Sequence, residues 1–411
     1  MNNLKKPSHL TLILLLGALT ALAPFSIDMY LPGFPGIAKD FNISTARVTL
    51  SLSSFFLGIS LGQVIYGPLI DRFGRKKPLF FGLFLYLIAS AGCYFSPSIE
   101  VLIGLRFIQA IGSCAAGVVS IAMVRDLFPI EDNAKIFSLL LLVLGASPMV
   151  APTIGGFISS AFGWQAIFVV LFFIGMVIFI TVYAILPESR QPDKTYSLKP
   201  GPIIQGFWEV IKQPQFFTFA IGGGIALSGL FAYVSDSPTI FMVGYHVSNG
   251  TFGWIFATLA IGFVGTSQFN RIFARYFKPD QIVVGALTCM VIVSAMLLFG
   301  LAHGWFGIIA TATFIFICLG CIGILNPNAA ALSMAPFEKN AGSAASLFGL
   351  VQWGIAGLSS IAISLFKSNT PIPLAEIMTG TAVLSLLIIV IGKRVIKQQV
   401  VMPEGKMQIV Q

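Results

Sequence analysis

Long apolar runs alternate with short polar connections along this chain. A helix needs about 20 apolar residues to cross ~30 Å of hydrocarbon, and twelve runs meet that length. Their predicted limits are about 10–30, 48–70, 79–96, 99–124, 135–160, 164–186, 215–243, 252–274, 281–302, 305–328, 341–366 and 371–392. The pattern predicts an all-α membrane protein with twelve transmembrane helices.

The longest polar stretch lies near the middle of the chain and separates six runs from six. This predicts two pseudo-symmetric six-helix halves, with the boundaries 1–186 for the first half, 187–213 for a cytoplasmic central loop, 214–394 for the second half and 395–411 for a cytoplasmic tail. Within the loop, Gly201–Lys212 is either an amphipathic helix with Trp208 at the lipid headgroups or a flexible linker.

Composition and charge agree with a membrane protein. Hydrophobic residues make up 56% of the chain, the mean hydropathy is +0.92, and the net charge is +9. The connections predicted on the side of the two termini hold twenty basic residues and the opposite connections hold three, namely Lys39, Arg47 and Lys367. Because basic loops remain in the cytoplasm, both termini are predicted on the cytoplasmic side. The protein itself is predicted to lie in the cell inner membrane. The basic residues are not interleaved with aromatic ones, so nucleic-acid binding is not expected.

The densest charge is in the connection Gly67–Pro78, which contains the pattern G-x-L-x-D-R-x-G-R-K. It predicts a tight turn between two spans, allowed by Gly67 and Gly74. The pattern closely resembles the loop motif of the major facilitator superfamily, whose members are solute transporters. The resemblance implies an inner gate formed by Gly67, Asp71, Arg72, Gly74 and Arg75 together with Asp126. The connection after the eighth run holds a degraded copy, Asn270-Arg271 followed by Arg275.

Ionisable side chains inside the runs are the candidates for chemistry, because each costs ~2.5–3.5 kcal/mol at the bilayer centre. They are Asp28, Arg106, Asp236 and Glu376. Asp28 is the candidate proton carrier, since a buried carboxyl group favours its neutral form. A nearby Arg106 would make its proton affinity depend on conformation. The alternative for each is a structural pair or a side chain that reaches the headgroups, and for Glu376 that alternative is favoured.

Four segments extend the resemblance to the bicyclomycin and chloramphenicol resistance branch of drug/proton antiporters. They are Ile27–Pro35, Leu102–Gly112, Gly145–Gly156 and the stretch from Asn326 to Gln352. The second implies that Arg106 takes part in proton transfer. The third resembles an antiporter helix whose residues Pro148, Pro152, Gly155 and Gly156 give a kink and a smooth face, although Ala151 stands where the general pattern has glycine.

Asp236 departs from that branch, where a small neutral residue is expected. It is either a second protonation site facing Asp28, a counter-charge for cationic substrates, or a water-exposed residue at the outer mouth. Polar groups within other runs are candidates either for the same substrate cavity or for interhelical hydrogen bonds. They are Tyr30, Tyr233, Asn326 and Gln352.

The predicted function is proton-coupled efflux of small amphipathic compounds, antibiotics among them, by alternating access of a monomer in the lipid bilayer. A proton-coupled importer of a metabolite is the alternative, since it would share the fold. An enzyme is not expected, because no nucleophile and base pair or phosphate loop occurs. No cofactor is expected either. A metal is not expected, since Cys318 and Cys321 lie inside an apolar run without a second pair.

Overall fold

The computed structural model describes residues 8–193, 198–337, 341–366, 368–396 and 400, without the side chains of residues 130, 131, 133–135, 138 and 141. These residues form twelve helices long and apolar enough to cross a membrane, which confirms the predicted class and number of spans. The helices are α1 (His9–Asp40), α2 (Thr45–Phe73), α3 (Lys76–Tyr94), α4 (Ile99–Leu127), α5 (Ile130–Phe162), α6 (Gln165–Ile185), α7 (Pro214–Gly244), α8 (Asn249–Phe273), α9 (Pro279–Ala302), α10 (Ile308–Met334), α11 (Ala341–Ser364) and α12 (Ile372–Val395).

Some of the predictions fall on residues that are not described. Most of the predicted tail 395–411 lies outside the described residues. The same holds for several of the basic residues counted in the connections, namely Lys5, Lys6, Lys194, Lys339, Lys367, Lys397 and Lys406.

α1 is interrupted near its end. A regular α-helix covers His9–Asp28, a 3-10 turn covers Leu31–Gly33, and a short helix covers Phe34–Asp40. Pro32 and Pro35 start the two short pieces, and proline has no backbone N–H to continue the helical hydrogen bonds. Asp28 therefore lies where the regular helix ends.

α7 is interrupted in a similar place. It is α-helical over Gly222–Ser237 and becomes a π-helix over Pro238–Gly244. Pro238, which starts the wider turn, removes a backbone donor just as the prolines of α1 do. Asp236 lies two residues before this change. The carboxyl groups of both broken helices are thus carried by backbone next to an irregular turn.

Serine residues fix the start of three helices on one face of the bundle. Ser44, Ser98 and Ser248 precede α2, α4 and α8, and each side chain accepts a hydrogen bond from the backbone N–H three residues later, at 3.3, 3.4 and 3.2 Å. Such caps satisfy amide groups that the helix itself leaves without partners.

The helices pack as two groups of six with matching contacts. In the first group, α1 contacts α4, α5 and α6; in addition, α2 contacts α4, and α3 contacts α6. In the second group, α7 contacts α10, α11 and α12; in addition, α8 contacts α10, and α9 contacts α12. The two groups meet along α2 and α11 and along α5 and α8. Adding six to each helix number of the first group reproduces the contacts of the second.

The outer surface of the bundle is apolar. Large hydrophobic side chains such as Phe81, Phe84 and Ile88 on α3 are 61%, 56% and 53% exposed. Water would penalise such a surface, whereas lipid tails do not. The buried positions form a continuous core through both groups.

The connection between α2 and α3 is shorter than the sequence predicts. α2 runs to Phe73, so Asp71 and Arg72 lie in its last helical turn. Gly74 makes the turn with a left-handed φ of 81°. Gly67 does not form the turn, which corrects the prediction. It lies inside α2, and a Cβ added there would lie 2.5 Å from Ser346 Oγ of α11.

We call the face that carries the α2–α3 connection and the central loop the basic face. The loop contains a helix at Pro200–Ile211, so the amphipathic helix is formed rather than a featureless linker. Its Val210 is buried beside Phe216 and Leu347 of the second group. Trp208 is 60% exposed, and the Lys212 ammonium group lies 5.0 Å from its ring. This helix is therefore attached to the second group of six.

Candidate functional site

Arg106 on α4 is completely buried within the first group of helices. Its Nη1 donates to Gln109 Oε1 at 2.6 Å, and its Nη2 donates to the Ser26 carbonyl at 3.0 Å. The Tyr30 and Phe55 rings lie 4.4 and 4.2 Å from the guanidinium carbon. Within the described residues, Arg106 has no ion-pair partner and its Nε has no hydrogen-bond partner. Neutral oxygens and aromatic faces hold this charge.

A second layer of hydrogen bonds fixes the groups around Arg106. Gln109 Nε2 donates to Ser90 Oγ at 2.8 Å, and the hydroxyl groups of Ser26 and Tyr86 are 2.8 Å apart. Gln109 was not among the predicted site residues. Its position three residues after Arg106 on the same helical face is a signal that could have identified it. Tyr30, a candidate either for the cavity or for an interhelical hydrogen bond, is fully buried against Arg106, with its hydroxyl 2.7 Å from Ser51 Oγ of α2.

Asp28 lies at the contact between the two groups of helices. The residue is 5% exposed, and its carboxyl group faces Ser147 of α5 and Tyr233 of α7. The hydroxyl groups of Ser147 and Tyr233 are buried without a hydrogen-bond partner of regular geometry among the described residues. No described residue forms an ion pair with Asp28. A carboxyl group in such a place is stable when neutral, since ionisation would leave a buried charge uncompensated.

Asp28 and Arg106 are connected through α1 rather than by direct pairing. Arg106 binds the carbonyl oxygen of Ser26, which lies two residues before Asp28. A movement of Arg106 therefore acts on the backbone that carries Asp28, and a displacement of Asp28 acts on the hydrogen bond of Arg106.

Glycine residues of α5 allow its close contact with α1 and α8. A Cβ at Gly155 would lie 2.1 Å from the Met29 carbonyl oxygen, and one at Gly156 would lie 3.3 Å from the Asn249 carbonyl oxygen. Pro148 and Pro152 lie inside the same helix. The predicted antiporter segment is thus packed between the groups, where it brings Ser147 next to Asp28.

The remaining cavity candidates lie in the second group. Tyr233 stacks on Phe256 with 5.6 Å between ring centroids. Gln352 Nε2 donates to Asn326 Oδ1 at 3.1 Å, so these two predicted residues are brought together across α10 and α11. Asp236 is 8% exposed, which contradicts the alternative of a water-exposed residue at the outer mouth.

Arg75 forms the centre of a charged cluster on the basic face. Its side chain is 5% exposed, its Nε lies 2.8 Å from Asp126 Oδ2, and its Nη1 lies 3.0 Å from Asp71 Oδ1. Burial disfavours the charged form, but the hydrogen bonds and charges of the two carboxylates outweigh it and raise the pKa of the Arg75 guanidinium group above its ordinary value. All three residues belong to the first group of helices.

Glu188, which directly follows α6, completes this cluster. Its carboxylate accepts hydrogen bonds from the backbone N–H groups of Arg75 at 2.7 Å and Lys76 at 3.1 Å, at the start of α3. An anion is favoured there by the free amides and the helix dipole. A Cβ at Gly74 would lie 2.9 Å from Glu188 Oε2, so the glycine makes room for this contact. In the sequence, Glu188 is visible only as a member of the polar stretch 187–213.

The two residues after Glu188 also contact the cluster. Ser189 Oγ donates to Asp126 Oδ2 at 2.8 Å, and Arg190 Nη1 lies 3.3 Å from Asp71 Oδ1. The guanidinium group of Arg72 lies 5.9 Å from the ring of Phe73. The first residues of the central loop are therefore bound to the first group of helices, whereas the loop helix is bound to the second.

Residue types that ligate metals were predicted not to form a site. Among the described residues, no group of three or more His, Cys, Asp and Glu side chains is placed to hold a metal ion. Cys318 and Cys321 are buried free thiols.

Comparison with known proteins identifies relatives over most of the chain. Residues 16–360 match the family model described as Major Facilitator Superfamily. A bicyclomycin resistance protein homolog from Haemophilus influenzae is 30% identical over 93% of this chain and 96% of the relative. A chloramphenicol resistance protein from Pseudomonas aeruginosa is 28% identical over 91% and 89%. The crystal structure of a bacterial homolog to the human lysosomal transporter Spinster, in an inward-facing and occupied conformation, has a TM-score of 0.73 at 14% identity, covering 97% of this chain and 100% of that one.

Proposed function

The chain belongs to the major facilitator superfamily, and from this premise we propose that it exports small amphipathic compounds, including antibiotics, in exchange for protons. The relatives named for bicyclomycin and chloramphenicol resistance support the cargo class. The observation that carries the proposal is the environment of Asp28, a buried carboxyl group at the contact between the two groups of helices.

Asp28 is suited to exchange a proton for a substrate. In the closed environment beside Ser147 and Tyr233, the neutral carboxyl group is the stable form. When the two halves separate and water enters, the ionised form is favoured and the proton leaves. Substrate and proton compete for the region around Asp28. The halves therefore change from opening on one side of the membrane to opening on the other only when substrate or a proton is bound there.

Arg106 links the protonation state of Asp28 to the packing of α4. It holds the carbonyl oxygen of Ser26, and its Nε is left without a partner among the described residues. A small rotation of α1 that exposes Asp28 also shifts this hydrogen bond. Gln109 positions the guanidinium group during that movement.

The proton gradient supplies enough energy for useful export. One charge that crosses 100 mV yields ~2.3 kcal/mol, and a tenfold concentration ratio costs ~1.4 kcal/mol. One proton therefore sustains a roughly fortyfold gradient of a neutral compound.

In this proposal the basic face and both termini lie in the cytoplasm, because basic loops stay inside. Residues about 1–186 and 214–394 form the halves that rock, and the central loop joins them on the cytoplasmic side. The transporter works as a monomer in the inner membrane, with the lipid bilayer, the substrate and protons as its partners.

The test is transport in proteoliposomes with a panel of compounds that includes chloramphenicol and ethidium. With an imposed pH gradient, the wild-type protein should move at least one compound against the direction of proton flow. Asp28→Asn should abolish this exchange, because the amide cannot release a proton. Asp28→Glu should retain part of it.

Asp132→Asn serves as the matched control, since Asp132 is an exposed carboxylate outside the apolar runs. It should transport like the wild-type protein. Undiminished pH-driven exchange by Asp28→Asn would refute the assignment of the proton site. Movement of the compound in the same direction as the proton would instead identify an importer.

A further inference from the structure

Asp236 is a second buried carboxyl group that the proposed exchange through Asp28 does not use. It is 8% exposed, and the Thr239 hydroxyl lies within hydrogen-bond reach of its carboxyl group. No described residue forms an ion pair with it. A carboxyl group that is buried within a membrane span without a cation is a candidate functional site.

Hydroxyl groups connect the surroundings of Asp236 across the contact between the halves. We call Thr45, Thr49, Ser53, Ser235, Thr239 and Ser360 the hydroxyl seam. Thr239 Oγ1 donates to Thr45 Oγ1 at 3.3 Å, and Thr49 Oγ1 donates to the Ser235 carbonyl at 3.4 Å, so α7 is bonded twice to α2. Ser360 Oγ of α11 lies 2.7 Å from Ser235 Oγ and 2.7 Å from Ser53 Oγ.

The hydroxyl seam lies where the bundle is closed on the face opposite the basic face. There the short helix Phe34–Asp40 of α1 packs against the π-helical turn Pro238–Gly244 of α7, which also contacts α2. All six side chains of the seam are buried. Water that could solvate a charge at Asp236 is excluded as long as these segments touch.

The groups facing Asp236 leave its ionised form without compensation. Within the described parts of the helices packed around α7, namely α1, α2, α8, α10, α11 and α12, no residue forms an ion pair with the Asp236 carboxyl group. The nearest acidic influence on α7 is Asp28, which acts on Tyr233 one turn before Asp236. Asp28 of the first half thus faces Tyr233 of α7.

The face opposite the basic face is the outer face, since the basic face is cytoplasmic in the proposed function. We propose that Asp236 is a second proton-binding site: the outer face is closed when its carboxyl group is neutral and opens when that group is ionised. This rests on the proposed proton exchange and extends it. The neutral carboxyl group fits the dry hydroxyl seam, whereas the carboxylate requires water and therefore separates α7 from α1 and α2. A proton that enters from outside and binds Asp236 would therefore close the outer face.

The distance across the outer face as a function of pH tests this directly and requires no substrate. Spin labels are attached at Lys39→Cys and Gly250→Cys, two exposed positions in different halves, and an added Cβ at Gly250 meets no atom within 4 Å. Cys289, the exposed native cysteine, is changed to Ser. The protein is placed in nanodiscs, and distances are measured by pulsed electron paramagnetic resonance between about pH 5 and pH 9.

The wild-type protein should show a short distance at low pH and a growing population with a longer distance as pH rises. Asp236→Asn should keep the short distance throughout, because its amide is permanently neutral. Asp236→Glu should restore the pH response, which controls for damage by the substitution. Asp132→Asn, which changes an exposed carboxylate, should retain the response, because Asp236 is intact.

A full pH response in Asp236→Asn would overturn the second site and leave the proposed exchange intact. If the wild-type protein shows no pH-driven transport but its distance still changes with pH and Asp236→Asn abolishes that change, the proposed exchange is refuted and the proposed role of Asp236 in closing the outer face is not. If the distance in the wild-type protein does not change with pH, the proposal that ionisation of Asp236 opens the outer face is wrong.

Discussion

The two connections α2–α3 and α8–α9 occupy corresponding places in the two groups of helices, but different forces hold them. In the first, Arg75 lies between the carboxylates of Asp71 and Asp126. In the second, the position of the acid is taken by Asn270, which accepts a hydrogen bond from Asn328 Nδ2 of α10 at 2.7 Å. One connection is a charged network and the other a neutral amide pair.

The residues at or just after the end of the sixth helix of each group differ in a similar way. After α6, Glu188 places its carboxylate on the free amides at the start of α3. At the end of α12, Lys393 places its ammonium group on Asp280, in the first turn of α9. The same spatial junction is therefore closed by an anion in one half and by a cation in the other.

This difference teaches that equivalent packing does not require equivalent chemistry. In the first half, the residues after α6 also contact the charged cluster at the α2–α3 connection, since Ser189 binds Asp126 and Arg190 binds Asp71. A displacement of the central loop therefore reaches Arg75 directly. The second half has no such chain of contacts among its described residues, and we expect its connection to respond locally.

The largest effect is expected from Arg75→Ala. The substitution leaves the carboxylates of Asp71 and Asp126 without their shared cation, and removal of one partner from a buried pair costs ~3–5 kcal/mol. Because the two acids are 27% and 19% exposed, we expect the lower end of that range. Thermal unfolding in detergent should show a clearly lower Tm, and transport should fall with it.

Arg275→Ala in the second connection is the matched control, since Arg275 is exposed. Its stability should change by less than ~0.5 kcal/mol. Equal losses of Tm in the two variants would contradict the contrast between the connections. A double variant with Asp126→Ala should regain part of the stability lost in Arg75→Ala, because one unpaired acid is removed.

A smaller effect is expected from Glu188→Gln. The amide oxygen can still accept one of the two hydrogen bonds from the start of α3, but the NH2 group cannot replace the second acceptor. The negative charge that interacts with the helix dipole is also lost, and this interaction alone is worth ~0.3–1 kcal/mol. Glu188→Ala removes the cap as well and should cost ~1 kcal/mol more. Trypsin should cleave after Arg190 faster in both variants, since the start of the central loop is released.

Glu209→Gln controls for the loss of one acid from the central loop, because Glu209 lies in the loop helix attached to the second half. Cleavage after Arg190 should then occur at the wild-type rate. If Glu188→Ala leaves that rate unchanged, the capping contact does not hold the loop and the proposed link to Arg75 fails.

The twelve spans could be predicted because the length of an apolar run follows from the thickness of the bilayer. The interruption of α1 follows from Pro32 and Pro35 in the same direct way. The role of Gly67 could not be predicted, since a glycine next to charged residues reads as a turn until Ser346 of a distant helix is known to pack on it.

The candidate site was predictable in its charges but not in its contacts. An ionisable residue inside an apolar run is visible in the sequence, which is why Asp28, Arg106 and Asp236 stand out. The oxygens that hold Arg106 come from Gln109 and from a backbone carbonyl, and no residue type marks a carbonyl in advance. Glu188 was missed because only the fold brings the end of α6 beside the start of α3.

The smallest effect is expected from Asn270→Asp in the second connection. Asn328→Ala removes one neutral hydrogen bond to Asn270 and one to the Ile324 carbonyl, and should cost ~1 kcal/mol. Asn270→Asp instead restores the acid found at Asp71. The carboxylate can still accept from Asn328 Nδ2, but Arg275 follows position 270 by five residues, whereas Arg75 follows Asp71 by four and reaches back to it. Stability should therefore change by less than ~0.5 kcal/mol, as measured by thermal unfolding. A large gain in Tm would mean that the second connection lacks only a charge, and the contrast between the two halves would then lie in one side chain rather than in how each connection is built.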